Sequence, residues 1–181
     1  LEGAIAKARQ IAAQTEGAVM LEQFENPVNP EIHRQTTAQE IWSATDGNVD
    51  AFVCGVGTGG TISGVADVIK NRNPHFKAIV VEPAESPVIS GGIHKQHTIH
   101  GIGLGFIPKN LDMDIVDDIE QVSMQQALEM CNRLIREEGI MAGMSSGANI
   151  CAAIRVAGRL GKGKTVVTLI HDSGERYLHG N

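Results

Sequence analysis

Aromatic residues are scarce: one tryptophan, one tyrosine and four phenylalanines make up 3% of the 181 residues. Basic charge is short as well, with 15 Lys+Arg against 21 Asp+Glu and a formal net charge of −6. A nucleic-acid binder needs a basic face and stacking rings, so that class is excluded. Cysteine is sparse: Cys54, Cys131 and Cys151 lie far apart, are odd in number and form no C-x-x-C pair. Neither a zinc site nor a disulfide framework follows from such spacing, and a reduced, cytoplasmic protein is expected. Cys131 and Cys151 fall in apolar helical patterns and read as small core residues. Long apolar runs are missing too; residues 165–170 are far shorter than the ~20 a membrane helix needs. No basic-then-apolar leader opens the chain. A charged content of 20% against 42% hydrophobic excludes a disordered tail.

Glycine is the excess, at 21 of 181 residues, well above the usual ~7%. Much of this backbone is therefore expected to run close to something else. The length suits one domain or slightly more, with room for a real core.

Periodicity predicts a helix over residues 1–15, with Ile5, Ala8, Ile11 and Ala12 on one face. No cap precedes Leu1 and no initiator methionine is present, so the chain reads as a fragment. Residues 18–21 read as a short strand, and Asn26-Pro27-Val28-Asn29-Pro30 as a break. A helix is expected over 31–44, with Ile32, Ile41 and Trp42 in the core. The middle alternates: strand 50–54, glycine loop 55–60, helix 61–70, strand 77–81. This is a βαβ unit, which implies parallel pairing and a right-handed crossover. Residues 83–110 dissolve into glycine, histidine and proline, a segment of the kind that carries function. A helix over 123–138 has Ser123 as N-cap and Gly139 as its stop, with Val122, Leu128, Leu134 and Ile135 as a core stripe. Residues 148–160 make another helix and 165–170 a buried strand. With no repeat and no linker, residues 1–181 read as a single α/β unit.

Gly55-Val56-Gly57-Thr58-Gly59-Gly60 fits G-x-G-x-x-G between a strand and a helix, and Glu82 ends the next strand. That satisfies the dinucleotide fingerprint, with Glu82 as the acid for a ribose hydroxyl. The same loop also suits a smaller ligand. Its consecutive N–H groups at a helix start, with the hydroxyls of Thr58 and Thr61, would cup one phosphate dianion. A glycine turn that binds nothing is the third reading.

Other segments favour the phosphate cup. Gly139-Ile140-Met141-Ala142-Gly143-Met144-Ser145-Ser146-Gly147-Ala148 sets two serines at a helix start, where simple N-capping would also place them. Gly101-Ile102-Gly103-Leu104-Gly105-Phe106, Asp172-Ser173-Gly174-Glu175-Arg176-Tyr177, Gln23-Phe24-Glu25-Asn26-Pro27 and Pro30-Glu31-Ile32-His33 complete the set. Together these motifs closely resemble the cysteine synthases, or O-acetylserine sulfhydrylases, a family of pyridoxal-phosphate β-replacement enzymes. The resemblance runs nearly end to end and in order. It implies the three-layer sandwich with a mostly parallel sheet of fold-type II pyridoxal-phosphate enzymes. On that plan the chain is the large C-terminal domain, with the smaller N-terminal domain largely missing.

The resemblance further assigns Gly57, Thr58, Gly59, Gly60 and Thr61 to the phosphate of pyridoxal 5'-phosphate. It gives Ser145 the contact to the pyridine nitrogen, with Ser146 the alternative one register on. A neutral hydroxyl there leaves the ring nitrogen unprotonated and favours β-elimination over transamination. Gly101, Ile102 and Gly103 match a loop beside the substrate, and Asp172 and Ser173 lie near the ring. Glu82 then becomes a strand-end acid. The implied activity is synthesis of L-cysteine from O-acetylserine and sulfide through an aminoacrylate. The implied assembly is a homodimer that takes the C-terminal tail of serine acetyltransferase in the same cleft.

Two family features are not found. None of Lys7, Lys70, Lys77, Lys95, Lys109, Lys162 and Lys164 sits in a context like Ser-x-Lys-Asp-Arg, which carries the Schiff-base lysine. A Thr-Ser-Gly-Asn-Thr-type loop for the substrate carboxylate is absent too. The 181 residues are therefore expected to be inactive alone and to form part of a larger two-domain enzyme. Two positions depart from the family: His171 stands where proline is usual and reads as a surface histidine, and His100 replaces a glutamine. His94, His97 and His100 at i, i+3, i+6 would share a metal on a helix. The neighbouring glycines argue for a polar loop over the cleft instead, and no metal is expected. Asp112, Asp114, Asp117, Asp118 and Glu120 read as a solvated strand edge rather than a cation site. The competing readings are a cystathionine β-synthase-type enzyme, an NAD-binding Rossmann protein, and a truncated module that only binds the acetyltransferase tail.

Overall fold

The computed structural model describes residues 2–177, so Leu1, the expected start of the first helix, lies outside the described residues. Its elements are α1 (Glu2–Gln14), α2 (Val28–Gln35), α3 (Thr37–Ala44), β1 (Ala51–Gly55), α4 (Gly60–Arg72) and β2 (Lys77–Pro83). After a long loop come β3 (Asp118–Val122), α5 (Met124–Arg133), α6 (Met144–Leu160) and β4 (Val166–Thr168). The strands form one sheet in the order β3-β2-β1-β4, and every pairing is parallel.

Parallel strands covered on both faces are apolar throughout, and β1 and β2 follow that rule. Alternate residues of each point to opposite layers. Phe52, Cys54, Ala78 and Val80 pack with Ile62, Val65, Ala66 and Ile69 of α4. Ala51, Val53, Ile79 and Val81 pack with Ala148, Ala152, Ala153 and Val156 of α6. Three layers result, α4 on one face and α6 on the other. The strand order reverses between β1 and β4. Ligands of parallel sheets bind at such a switch point, beyond the carboxyl ends of the strands.

Local signals explain most element ends. Ser123 Oγ accepts from Gln126 N at 3.2 Å while Gln126 Oε1 accepts from Ser123 N at 3.1 Å, a reciprocal cap that starts α5. The chain then widens into a π-helical turn, Leu134–Glu138, and stops at Gly139 with φ 69°. That left-handed geometry favours glycine.

Several expectations are corrected. Residues 18–21 form no strand; Val19 and Leu21 stand exposed and pair with nothing among the described residues. The expected helix over 31–44 is two helices broken at Thr36, whose hydroxyl donates to Ile32 O at 2.7 Å. Such back-bonding competes with the helix ladder and bends it. Residues 165–170 give only the three-residue β4, half-buried because it is an edge strand against β1 alone. Along α5 and the π-helical turn after it the buried stripe is Ala127, Met130, Cys131 and Leu134, while Leu128 and Ile135 are exposed. Trp42 is half-buried, with the Arg72 guanidinium 5.2 Å from its ring centre. The acidic run is engaged in ion pairs and a turn. Asp117 pairs with Lys70 and Lys77, Asp118 and Glu120 with Arg159, and Asp112 caps the turn Met113–Ile115.

Candidate active site

The glycine loop leaves β1 at its carboxyl end and turns into α4 through Gly59, whose φ of 81° suits glycine. A Cβ at Gly59 would also lie 2.7 Å from the Leu111 backbone. The N–H groups of Gly57, Thr58 and Gly59 find no acceptor among the described residues. They sit at the positive end of α4, where an anion is favoured. Asn29 Nδ2 donates to Thr58 Oγ1 at 3.0 Å and to Gln23 O at 2.8 Å, fixing the threonine while leaving its proton available. His33 bridges Thr61 Oγ1, 3.1 Å from its Nε2, and Thr37 Oγ1, 2.8 Å from its Nδ1. Burial lowers the pKa of His33, so the ring is neutral near pH 7.

The long loop after β2 folds back on this cup. Gly103 N donates to Val56 O at 3.3 Å, and a Cβ on Gly57 would come within 2.4 Å of Gly101 O. Ile102 packs over Gly55. Buried Glu82 does not reach toward the glycine loop. Its carboxylate accepts from Ile89 N at 2.8 Å, Ser90 N at 3.2 Å and the Ser90 hydroxyl. The acid of the dinucleotide fingerprint is thus engaged in ordering a loop.

From the opposite layer, α6 begins at Met144, placing Ser145 and Ser146 in its first turn. Ser145 faces a cavity of about 290 Å³ shared with Gly55, Gly57, Thr58, Thr61, Gly101 and Ile102. Ser146 is fully buried and turned away, its Oγ accepting from His171 N at 2.9 Å. His100, His171, Asp172 and Tyr177 form the remaining wall. The His100 and Tyr177 rings stack at 6.2 Å, and the Tyr177 hydroxyl donates to Asp172 Oδ2. Asp172 Oδ1 is buried without a partner among the described residues. No lysine among the described residues lines the cavity.

Of the residues singled out from sequence, Gly57, Thr58, Thr61, Gly101, Ile102 and Ser145 share this cavity. Gly59, Gly60 and Gly103 stand behind it, packed on Leu111, Asn29 and Pro83. The three histidines share no metal-like cluster: His94 Nδ1 meets Ser86 Oγ, His97 Nε2 meets Gly103 O, and His100 lies on Tyr177. No group of three or more His, Cys, Asp or Glu side chains converges among the described residues. Sequence reasoning missed Asn29, His33 and Asn149; the last, an amide inside an apolar helical run, was the readable signal. His171 keeps exposed surface, as expected, but that surface opens on the cavity while both ring nitrogens have protein partners.

A larger groove of about 400 Å³, between Ile5, Arg9, Phe24, Phe106 and Ile107, lacks converging polar groups beyond a rim of ion pairs. The smaller cavity has the chemistry. Its volume lies just below the usual range of ligand sites, about 300–1,000 Å³. The unpartnered amides fit a phosphate and Ser145 fits a ring nitrogen, so the residues present suit pyridoxal phosphate.

Comparisons with known proteins agree. Residues 1–172 match the model of the pyridoxal-phosphate dependent enzymes. The chain is 49% identical over 179 residues to a cysteine synthase of Staphylococcus aureus, covering 98% of this chain and 57% of that protein. Its structure is similar to O-acetyl serine sulfhydrylase isoform 3 of Entamoeba histolytica, with TM-score 0.93, 42% identity and coverage of 98% and 53%. It is also similar to an O-acetylserine dependent cystathionine beta-synthase of Helicobacter pylori, with TM-score 0.92, 38% identity and coverage of 99% and 58%. The chain therefore spans a little over half the length of these relatives. No helix among the described residues is long and apolar enough to cross a membrane.

Proposed function

The chain belongs to the pyridoxal-phosphate dependent enzymes, and from that premise we propose that it forms the cofactor-binding part of an enzyme making L-cysteine from O-acetylserine and sulfide. One observation carries the reading. A cup of unpartnered amides at the start of α4 and a hydroxyl at the start of α6 open on one cavity at the switch point of the sheet. Likeness to a cysteine synthase and an O-acetyl serine sulfhydrylase supports the substrate choice.

The bound cofactor supplies a ring that withdraws electrons from the substrate's α-carbon. Gly57, Thr58, Gly59, Gly60 and Thr61 hold its phosphate through amides, hydroxyls and the helix field, some of them from behind the cavity wall. Ser145 donates to the ring nitrogen. A neutral donor at a positive helix end disfavours a proton on that nitrogen, because a pyridinium would face the same field. The Gly101-Ile102-Gly103 loop presses on Gly57 through Gly101 O, and the missing side chain of Gly101 would leave space for the substrate. Tyr177 fixes Asp172 in the cavity wall, where it would face the bound cofactor.

The finer reading is that residues 1–181 are one α/β unit of a two-domain enzyme. No lysine lines the cavity among the described residues, so the amine that carries the cofactor comes from outside this set, and the 181-residue chain alone is inactive. A homodimer, a serine acetyltransferase tail in the same cleft and a cytoplasmic setting complete it. Three free cysteines support the last.

The test is titration of the intact protein with pyridoxal phosphate, with pyridoxal and NAD as controls, followed by an assay of cysteine formation. Binding at least tenfold tighter for the phosphate ester, and cysteine from O-acetylserine and sulfide, are expected. NAD binding in place of pyridoxal phosphate would overturn the cofactor reading. With homocysteine offered beside sulfide, cystathionine as the sole product would overturn the substrate.

A further inference from the structure

We propose that His171 is a positioning residue for Ser145: its Nδ1–H occupies the serine oxygen and directs the hydroxyl proton toward the cofactor's ring nitrogen. The proposal rests on the cofactor reading above.

Hydrogen-bond roles follow from two backbone groups that have no choice. Gly55 N–H can only donate, and the Asn149 atom 2.8 Å from it is therefore Oδ1. Leu169 O can only accept, and Asn149 Nδ2 stands 3.0 Å away. The amide orientation is assigned by both ends. The same Nδ2 faces His171 Nε2 at 3.4 Å. A proton on Nε2 would set donor against donor, so Nε2 is bare. Cys54 Sγ lies 3.9 Å from that nitrogen but gives its proton to Gly55 O at 3.5 Å, so the Asn149 amide decides the tautomer. A neutral imidazole with a bare Nε2 carries its proton on Nδ1, which lies 3.3 Å from Ser145 Oγ. The protein packed around the ring lowers the pKa of His171, against the opposing pull of Asp172. Ser146 Oγ, accepting from His171 N, pins the backbone.

The tautomer decides what the ring nitrogen meets. With Nδ1 bare, Ser145 would give its proton to the histidine and present a lone pair, which suits a pyridinium. With Nδ1 protonated, Ser145 accepts from the histidine and its own proton points into the cavity, which suits an unprotonated ring. The chain Gly55–Asn149–His171–Ser145 thus carries a fixed backbone donor at the end of β1 to the cofactor.

Long-range ¹H–¹⁵N spectra of the intact protein labelled in histidine read the tautomer directly. The Nδ1–H form, the less common one in free histidine, is expected with and without pyridoxal phosphate. The Nε2–H form or an imidazolium at neutral pH would overturn the proposal. In parallel, the dissociation constant and absorption maximum of pyridoxal phosphate are measured in His171→Leu and His171→Asn. Loss of one neutral hydrogen bond predicts about three- to tenfold weaker binding and a shifted maximum in H171L. H171N, whose amide nitrogen stands near the Nδ1 position, restores both. Equal binding in all three, or no rescue by asparagine, would refute the donor role. If the unaltered protein fails to bind pyridoxal phosphate, the cofactor reading falls, while the tautomer still reports whether the network exists.

Discussion

Asn149 is completely buried on α6, yet its amide joins the ends of two strands, taking Gly55 N–H with Oδ1 and giving Nδ2–H to Leu169 O. Asn149→Ala removes both bonds, together with the contact to His171, and leaves the two backbone groups without a side-chain partner. Each unsatisfied buried group costs about 1–3 kcal/mol. Alanine's better helix propensity returns about 0.5 kcal/mol. The net loss is then about 1.5–5.5 kcal/mol, concentrated where β1 and β4 diverge. Asn149→Asp keeps the acceptor for Gly55 but sets a carboxylate against Leu169 O, so it costs at least as much. Urea unfolding of the intact protein measures the global loss, and amide hydrogen exchange at Gly55 measures the local one. Faster exchange at Gly55, with distant amides of α4 unchanged below the global limit, is the expected pattern. A loss under about 1 kcal/mol with Gly55 exchange unaltered would show that the amide does not hold the strand ends.

Gly60→Ala places a Cβ 1.9 Å from Asn29 Oδ1, which must swing away from Thr58. Overpacking of about 1–3 kcal/mol corresponds to pyridoxal phosphate binding weakened about five- to 150-fold, read by fluorescence titration. For Asp117, burial works to raise the carboxyl pKa, but Lys70, the Ala78 N–H and Lys77 together hold it below its ordinary value. A depressed folded pKa stabilises above the unfolded value near 3.9 and loses that contribution as pH falls through the folded one. Asp117→Asn should therefore be less stable than the parent at pH 7, with the gap closing below about pH 4 in urea midpoints. Ser123→Ala removes the reciprocal cap of α5 and should cost about 0.5–2 kcal/mol in the same assay, with Ser123→Asp much closer to the parent.

The β1–loop–α4–β2 unit was legible because short apolar runs, glycines and a helical period agree over residues 51–83. Its candidate site residues stood out for the same reason: backbone donors at a helix start depend on local geometry that glycine announces. What failed depended on distant partners. The run 165–170 reads the same whether its strand is central or at an edge, and only the sheet order decides. Val19 and Leu21 look like strand residues, but a strand is a pairing and nothing pairs with them among the described residues. Leu128 and Ile135 lie off the stripe of Ala127, Met130, Cys131 and Leu134, which a six-residue step to Leu134 should have warned against. His171 read as surface because its exposure is real. That the surface is the wall of a cavity is a fact about Ser145, 26 residues away along the chain.

The two anchoring helices lie in different layers, α4 packed with Phe52 and Val80 and α6 with Val53 and Val81. A ligand held by both is a rivet driven through the laminate at the one seam where the strand order reverses. On the proposed reading, its grip on the phosphate end would belong to one core and its grip on the ring end to the other. On that reading, filling the cavity would couple the two layers, because melting either at the seam would weaken the hold on the ligand. Loading with cofactor is in this sense the last packing event of the fold as much as the first event of the chemistry.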